Sequence, residues 1–187
     1  MTAPRFADAR RLDVAALAEA GGEMAGEWPQ RGFARLATST VAGAPDAPVH
    51  WQVVGERALL AGAGVQAALR IAATTEITLE CQRCLQPLLL AQHVERRIFF
   101  VAGEDAAAAL DAECDDDVLA LTPALDLHAL VEDELLLALP VVPRHEVCAL
   151  PVPAATAATS AAGAPDRDDR EHPFAALAAL KRGPRPN

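Results

Sequence analysis

The sequence predicts an α+β fold built on a mostly antiparallel β-sheet, with a Cys-x-x-Cys corner at the tip of its longest hairpin. Apolar and polar residues alternate from Val65 to Cys81, which is the period of a strand with one dry and one wet face. Cys81-x-x-Cys84 and Pro87 then turn the chain into a second extended segment that ends at Val101. Pro87 has no backbone N–H, which suits a corner better than a strand interior.

The residues before this hairpin predict a short helix and two further strands. Asp13 is placed to cap a helix over Val14 to Ala20. Glu23 to Arg31 has no regular period, and we predict no regular element there. Phe33 to Val41 and Val49 to Val54 are predicted as strands on either side of a Gly-Pro turn.

The strand that enters the corner is long, so we expect a bend or bulge near Ala72-Ala73. Four successive extended segments favour an antiparallel sheet.

After the hairpin, the acidic stretch Glu104 to Asp117 holds Cys114 and is predicted as a solvated loop. A carboxylate site for a cation is the alternative, although a Gly turn and spaced ligands are lacking. Val118 to Leu121 is predicted as a short strand.

One main helix is predicted from Leu127 to Leu139, capped by Asp126 and stopped by Pro140. Its apolar stripe should pack across the dry face of the sheet. The expected contacts join Leu127, Leu130, Val131 and Leu135 to Leu69, Ile71, Ile77 and Leu79.

Two carboxylates of this helix are predicted interaction residues. At about 100° per residue, Glu132 falls on the polar side, but Glu134 falls inside the apolar stripe. A carboxylate there requires a partner. Arg83, Arg96 or Arg97 can supply it, with Arg83 as a further interaction residue; alternatively, Glu134 lies at the edge of the stripe and reaches water.

Length and composition limit the domain organisation and the classes of partner. The 187 residues fit one α+β domain over residues 1–148, a flexible linker over 149–172 and a tail over 173–187. A net charge of −10 and an aromatic content of 4% disfavour unaided binding to nucleic acid. The start lacks a signal-peptide core, and no apolar run reaches the roughly 20 residues of a membrane span. We expect a cytoplasmic protein without a membrane partner.

The tail predicts a short amphipathic helix. Phe174, Leu177 and Leu180 recur every three residues, after Pro173 and before two cations. We predict these three apolar residues as interaction residues that dock on a protein partner. The alternative is that the helix packs on its own domain.

Cysteine spacing gives the sharpest chemical signal. Cys81 and Cys84 can supply half of a tetrahedral zinc site, and His145 with Cys148 can supply the other half. The alternative is a pair of reduced thiols in a packed corner, with His145 and Cys148 on a surface turn. A redox role is disfavoured because no helix begins after the motif, so no helix dipole would lower a thiol pKa.

Motifs of common enzyme classes are absent from the sequence. There is no phosphate-binding Gly loop, no Gly-x-Ser-x-Gly elbow and no His-Glu-x-x-His. His50, His93 and His128 are isolated, and we expect surface or interface positions for them.

Together these motifs resemble the YceD family, the large ribosomal RNA subunit accumulation proteins. The resemblance spans Ala67 to Pro143 and the C-terminal tail. Its motifs, in family order, are Thr78 to Cys84, Leu130 to Pro140, His145 with Cys148, and Pro173 to Leu177. It implies a bacterial cytoplasmic protein needed for synthesis, processing or stability of 23S ribosomal RNA, with no established catalytic activity.

Two function classes follow from the sequence. The first is a non-enzymatic ribosome-biogenesis factor that contacts a protein partner in large-subunit assembly and touches rRNA only indirectly or weakly. The second is a metal-dependent or thiol-based enzyme of RNA metabolism. An enzyme requires a pocket where perturbed acids or thiols converge, whereas a scaffold requires only a sheet, a knuckle and a docking tail.

Overall fold

The computed structural model describes residues 8–148. They form one five-stranded sheet in the order β1-β2-β3-β4-β5, in which only the last pair is parallel. The strands are β1 (Glu23–Pro29), β2 (Pro48–Leu60), β3 (Gly64–Glu80), β4 (Pro87–Val101) and β5 (Asp117–Ala120). The α-helices are α1 (Val14–Ala20), α2 (Ala34–Ser39), α3 (Glu104–Asp111) and α4 (Leu127–Leu137). A mostly antiparallel sheet is therefore confirmed.

The hairpin of β3 and β4 is the longest pairing in the sheet. Its register runs without interruption from Ala67 opposite Phe100 to Glu80 opposite Pro87. A bend or a bulge was expected near Ala72-Ala73, and the uninterrupted register shows that a bulge is wrong. Ala72 is paired on both sides, with Gln52 of β2 and Glu95 of β4. A strand held by two ladders keeps its register along its length.

The dry face of β3 packs against α4, as the alternation predicts. One buried cluster contains the predicted contact residues of both elements: Leu69, Ile71, Ile77, Leu79, Leu127, Leu130, Val131 and Leu135. The Asp126 carboxylate accepts a hydrogen bond from the Ala129 N–H at 3.1 Å, so the predicted cap is present. The helix ends at Leu137, two residues earlier than predicted. The α1 helix is also found where it was predicted, capped by Asp13.

Strand β1 occupies a segment for which no element was predicted. The Trp28 and Trp51 rings stack at 4.4 Å, which ties β1 to β2 through the core side of the sheet. Gly26 lies under Trp51, where a Cβ atom would come within 2.8 Å of the indole. Cross-strand aromatic packing therefore holds this strand to the sheet.

His128 is buried in the same aromatic cluster, so its predicted surface position is wrong. Its ring stacks on Phe33 at 4.0 Å and meets Trp28 edge-on. Burial, with a smaller effect of the nearby Arg10 charge, lowers the pKa of the imidazole. His128 is thus a neutral core residue near neutral pH.

Phe33 to Val41, predicted as a strand, forms the helix α2 instead. Phe33 and Leu36 are both buried, and their spacing of three residues fits one side of a helix. The segment Glu104–Asp111, predicted as a loop, forms α3.

In the part of the chain that the structure describes, the opposite face of the sheet is covered at one end. There α3 packs against a second buried cluster of Leu60, Ala68, Phe99, Val101, Ala107 and Val118. The short strand predicted near Val118 is confirmed as β5. Within residues 8–148, none of the helices has the length and apolar character that crossing a membrane requires.

The predicted linker over 149–172 and the predicted tail helix lie outside the described residues. Phe174, Leu177 and Leu180 are among these residues.

Candidate metal centre

The corner between β3 and β4 is a tight knuckle. The Cys81 N–H donates to the Gln86 carbonyl at 2.9 Å, and the Leu85 N–H donates to the Cys81 carbonyl at 2.8 Å. Leu85 has a φ of 59°, the one positive φ of a non-glycine residue between 8 and 148. That left-handed conformation costs roughly 1–2 kcal/mol for a residue with a Cβ. The turn folds back on itself so that both cysteine side chains face the same side.

The chain returns to this knuckle after α4. The Gln82 N–H donates to the Pro143 carbonyl at 2.8 Å. The Arg83 guanidinium donates to the carbonyls of His145 and Glu146 at 3.5 Å and 3.4 Å. Arg83 therefore holds the returning segment and is not the partner of Glu134.

Four potential ligand atoms meet at the knuckle. The sulfurs of Cys81, Cys84 and Cys148 and a ring nitrogen of His145 all lie within 4.8 Å of one another. The Cys81 and Cys148 sulfurs are 3.6 Å apart, and the Cys84 sulfur is 3.4 Å from His145 Nδ1. Zinc–sulfur bonds of ~2.3 Å at tetrahedral angles give sulfur–sulfur distances of about 3.8 Å. The spacing therefore fits a tetrahedral ion; metal binding itself stays a prediction.

The knuckle already favours a negative charge on one sulfur. Burial opposes ionisation of Cys81, but backbone N–H groups of Cys84, His145 and Arg83 point at its sulfur and lower the pKa of the thiol to about 5. The Gln86 N–H donates to the Cys84 sulfur and by itself would lower the pKa of that thiol. Burial and the neighbouring sulfurs of Cys81 and Cys148 have the larger effect, so the pKa of Cys84 is raised. Without a cation, two adjacent thiolates repel each other. A divalent ion would remove that repulsion and release protons on binding.

The donor set fits zinc in a structural role. Three thiolates and one imidazole complete four-coordinate zinc and leave no position for a substrate or a reactive water. The one buried sulfur, Cys81, lies in a turn between two strands and not at a helix N-terminus. Zinc at this position would tie the hairpin tip to the segment that follows α4.

Glu132 links α4 to α2 in a way that the sequence did not reveal. Its Oε1 accepts hydrogen bonds from the backbone N–H groups of Arg35 and Leu36 at 2.7 Å and 3.1 Å. Its Oε2 receives the Arg35 side chain at 3.0 Å. Phe33, at the N-cap position of α2, has no side-chain acceptor, so Glu132 caps that helix from a distant point in the chain.

Glu132 is buried, which corrects its predicted place on the polar side. Burial opposes its ionisation, but the Leu36 N–H and the two donors of Arg35 prevail and lower the pKa of the carboxyl. Arg35 also pairs with Asp133. The sequence analysis did not identify Arg35 as a partner of Glu132. The one signal for it would have been a helix start that lacks a capping side chain, and a strand was predicted at that position.

Glu134 pairs with Arg96, one of the three predicted arginines, at 3.3 Å. Burial nevertheless raises the pKa of this carboxyl above its usual range, because the partly exposed Arg96 compensates only in part. The two glutamates of α4 thus have pKa values shifted in opposite directions.

The acidic turn after α3 does not gather its carboxylates around one point. Asp111 accepts the Val118 N–H at 3.0 Å, and Asp116 receives Arg97 at 2.8 Å. The Cys114 thiol donates to the Asp116 carbonyl at 3.3 Å. Among residues 8–148, the knuckle is the one group of three or more ligand side chains that could hold a metal ion.

Comparison with known proteins places this arrangement in a family. No solved structure matches the chain. The family model described as large ribosomal RNA subunit accumulation protein YceD matches residues 69–181. That range is more than half of the 187 residues and includes the knuckle, β4, α4 and the segment that returns to the knuckle. The chain therefore belongs to the YceD family.

Proposed function

We propose that this chain is a non-enzymatic factor of the bacterial cytoplasm, needed for synthesis, processing or stability of 23S ribosomal RNA. It acts in large-subunit assembly through a protein partner and contacts rRNA only indirectly or weakly. The family supports the link to rRNA of the large subunit.

The observation that carries the non-enzymatic role is the closed donor set of the knuckle. A catalytic zinc site keeps one position open, whereas Cys81, Cys84, His145 and Cys148 complete the coordination. The knuckle therefore serves best as a zinc-held structural element.

The surface charge supports contact through protein instead of bare RNA. The net charge is −10, and most arginines of the described part are engaged by carboxylates. These pairs are Arg10–Asp126, Arg31–Asp46, Arg35–Glu132, Arg57–Glu19, Arg70–Glu56, Arg96–Glu134 and Arg97–Asp116. Phosphate binding needs clustered cations that are free to displace counterions. Such a surface is poorly suited to rRNA without a mediator.

The test is complementation in cells that lack the gene. Wild type, Cys84→Ser and Cys114→Ser chains are expressed equally, and 23S rRNA is measured relative to small-subunit rRNA. We expect wild type and Cys114→Ser to restore the ratio and Cys84→Ser to fail. Affinity purification from the same cells should recover 23S rRNA only while its protein partner is retained.

The enzyme alternative predicts a different result. Purified zinc-loaded protein incubated with precursor 23S rRNA would cleave or modify it without any partner. That outcome would overturn the proposal.

A further inference from the structure

Among the described residues, 8–148, strand β4 has one edge that is mostly unpaired. On one side it pairs with β3 from Pro87 to Phe100. On the other side β5 pairs only with Ile98–Val101. Within residues 8–148, no strand pairs with the outer edge of β4 between residues 87 and 97.

The backbone groups on that edge can be identified. The Val101 carbonyl accepts the Leu121 N–H at 2.7 Å on the β5 side. Backbone groups of a strand alternate in direction, so the odd-numbered residues of β4 point their N–H and C=O to the same side. Leu89, Ala91, His93 and Glu95 therefore present a row of donors and acceptors outward. All four side chains are exposed.

Between Pro87 at its start and Glu95, this edge lacks the features that normally prevent strand addition. The strand at the opposite edge of the sheet, β1, does have such features: it is only seven residues long, contains Gly26 and ends at Pro29. From Leu88 to Val94, β4 contains no proline, no lysine and no bulge. Leu89 is 60% exposed. Native sheets seldom leave such a long, regular edge open unless it pairs with another chain.

The side chains beside this edge favour a basic strand. Glu95 lies on the edge, and Glu76 lies one strand further in, opposite Ala91. Two neighbouring acids form ion pairs, Glu56 with Arg70 and Asp116 with Arg97. Glu76 and Glu95 form no ion pair within residues 8–148. A long cationic side chain can pass over the Ala91 methyl and reach Glu76, two strand spacings or about 9.6 Å away.

We propose that the outer edge of β4, from Leu89 to Glu95, binds an extended basic segment of a partner protein by strand addition. The bound strand carries an apolar residue opposite Leu89 and basic residues opposite Ala91 and Glu95. This inference rests on the proposed function, because it names the chemistry of the protein partner.

A second copy of this chain fits the edge less well. Two chains of charge −10 repel each other, and edge-to-edge pairing would bring two acidic faces side by side. A basic segment gains from the same charges.

The experiment measures binding of synthetic peptides to the full-length chain by fluorescence anisotropy. In the probe peptide, the residues at alternate positions are Leu, Arg, Thr and Arg, to lie opposite Leu89, Ala91, His93 and Glu95, and the positions between them are Thr. A second peptide has the reversed sequence, because either strand direction can pair with an edge. One control replaces both Arg by Glu. A second control N-methylates the amides that would face β4, which blocks backbone bonding and keeps the charge.

The protein variants separate backbone from charge. Ala91→Pro removes one outward N–H and leaves the ladder with β3 intact. Glu76→Gln with Glu95→Gln removes the charge, and Glu27→Gln on β1 is the matched control on the same face. We expect the basic peptide to bind in one order, with at least about tenfold weaker binding after N-methylation, Ala91→Pro or the double substitution. Glu27→Gln should bind as wild type does.

Three results would overturn the inference. The basic peptides do not bind, or the N-methylated peptide binds equally well, or the free protein forms a dimer that Ala91→Pro abolishes. If Ala91→Pro fails to fold, the N-methylated peptide on the wild-type chain still decides. Failure here leaves the 23S rRNA test untouched, since complementation does not depend on which surface binds the partner.

Discussion

The interface of α4 with the sheet and the cysteine knuckle are neighbours in the fold, but different forces hold them. At the interface, Leu127, Val131 and Leu135 are completely buried. At the knuckle, Leu85 is 65% exposed and Val147 is 88% exposed. The interface is therefore stabilised by apolar burial, whereas the knuckle is held by backbone hydrogen bonds and would be held further by a bound metal ion. We predict that the interface sets global stability and that the knuckle sets only local order.

Removing buried volume from the interface should have the largest effect. Leu135 is fully buried and Leu137, on the same helix, is 73% exposed. Leu135→Ala should lower the free energy of unfolding by about 2–5 kcal/mol, because transfer and cavity terms add. Leu137→Ala should change it by less than about 0.5 kcal/mol. Urea denaturation measures both, and similar losses from both variants would contradict the burial argument.

The two glutamates of α4 test whether polar groups also support the interface. Glu132→Gln should lower the free energy of unfolding at neutral pH by about 1–3 kcal/mol, since a charged acceptor for Arg35 and Leu36 is lost. The folded pKa of Glu132 is lowered, so its contribution is present above the usual value of 4.5 and is lost as the pH falls through the lower folded pKa.

Glu134 should show the opposite sign. Its folded pKa is raised, so ionisation disfavours the fold as the pH rises above 4.5. Glu134→Gln should therefore not lower stability at neutral pH, and any difference from wild type should vanish in acid. Urea unfolding at several pH values checks both glutamates; a loss for Glu134→Gln as large as that for Glu132→Gln would mean that the Arg96 pair outweighs burial.

These contacts explain which parts of the fold the sequence could predict. The hairpin and the packing of α4 follow from local periodicity, and the meeting of Cys81 with Cys148 follows from two short spacings that a hairpin tip can unite. The helix α2 could not be predicted, because its cap is supplied by Glu132, almost a hundred residues away. β1 was missed for a similar reason, since it depends on the stacking of Trp28 on Trp51.

Loss of metal should disorder the knuckle and leave the interface folded. We expect the purified chain to bind one zinc ion and Cys84→Ser to lose it, as measured by mass spectrometry of the metal content. Hydrogen exchange should accelerate at residues 81–86 and 143–148 and remain slow in α4, because opening of the knuckle is local. Loss of the metal should lower the free energy of global unfolding by less than Leu135→Ala does.

Cys114→Ser is the matched control, since Cys114 lies near α3 and outside the ligand group. It should keep the zinc ion and the slow exchange at the knuckle. Faster exchange throughout α4 in Cys84→Ser would show that the two regions are not energetically separate.

Deleting residues 173–187 should have the smallest effect on stability. These residues, with Phe174, Leu177 and Leu180, are predicted to form a docking helix for a protein partner, and an isolated helix of this length is marginal in water. We therefore expect an unchanged melting temperature for the truncated chain and a lower level of 23S rRNA in cells. The control replaces the three apolar residues by Ser in the full-length chain and should give the same two results. A fall in melting temperature would instead mean that the tail is part of the fold, and an unchanged 23S level would remove the tail from the mechanism.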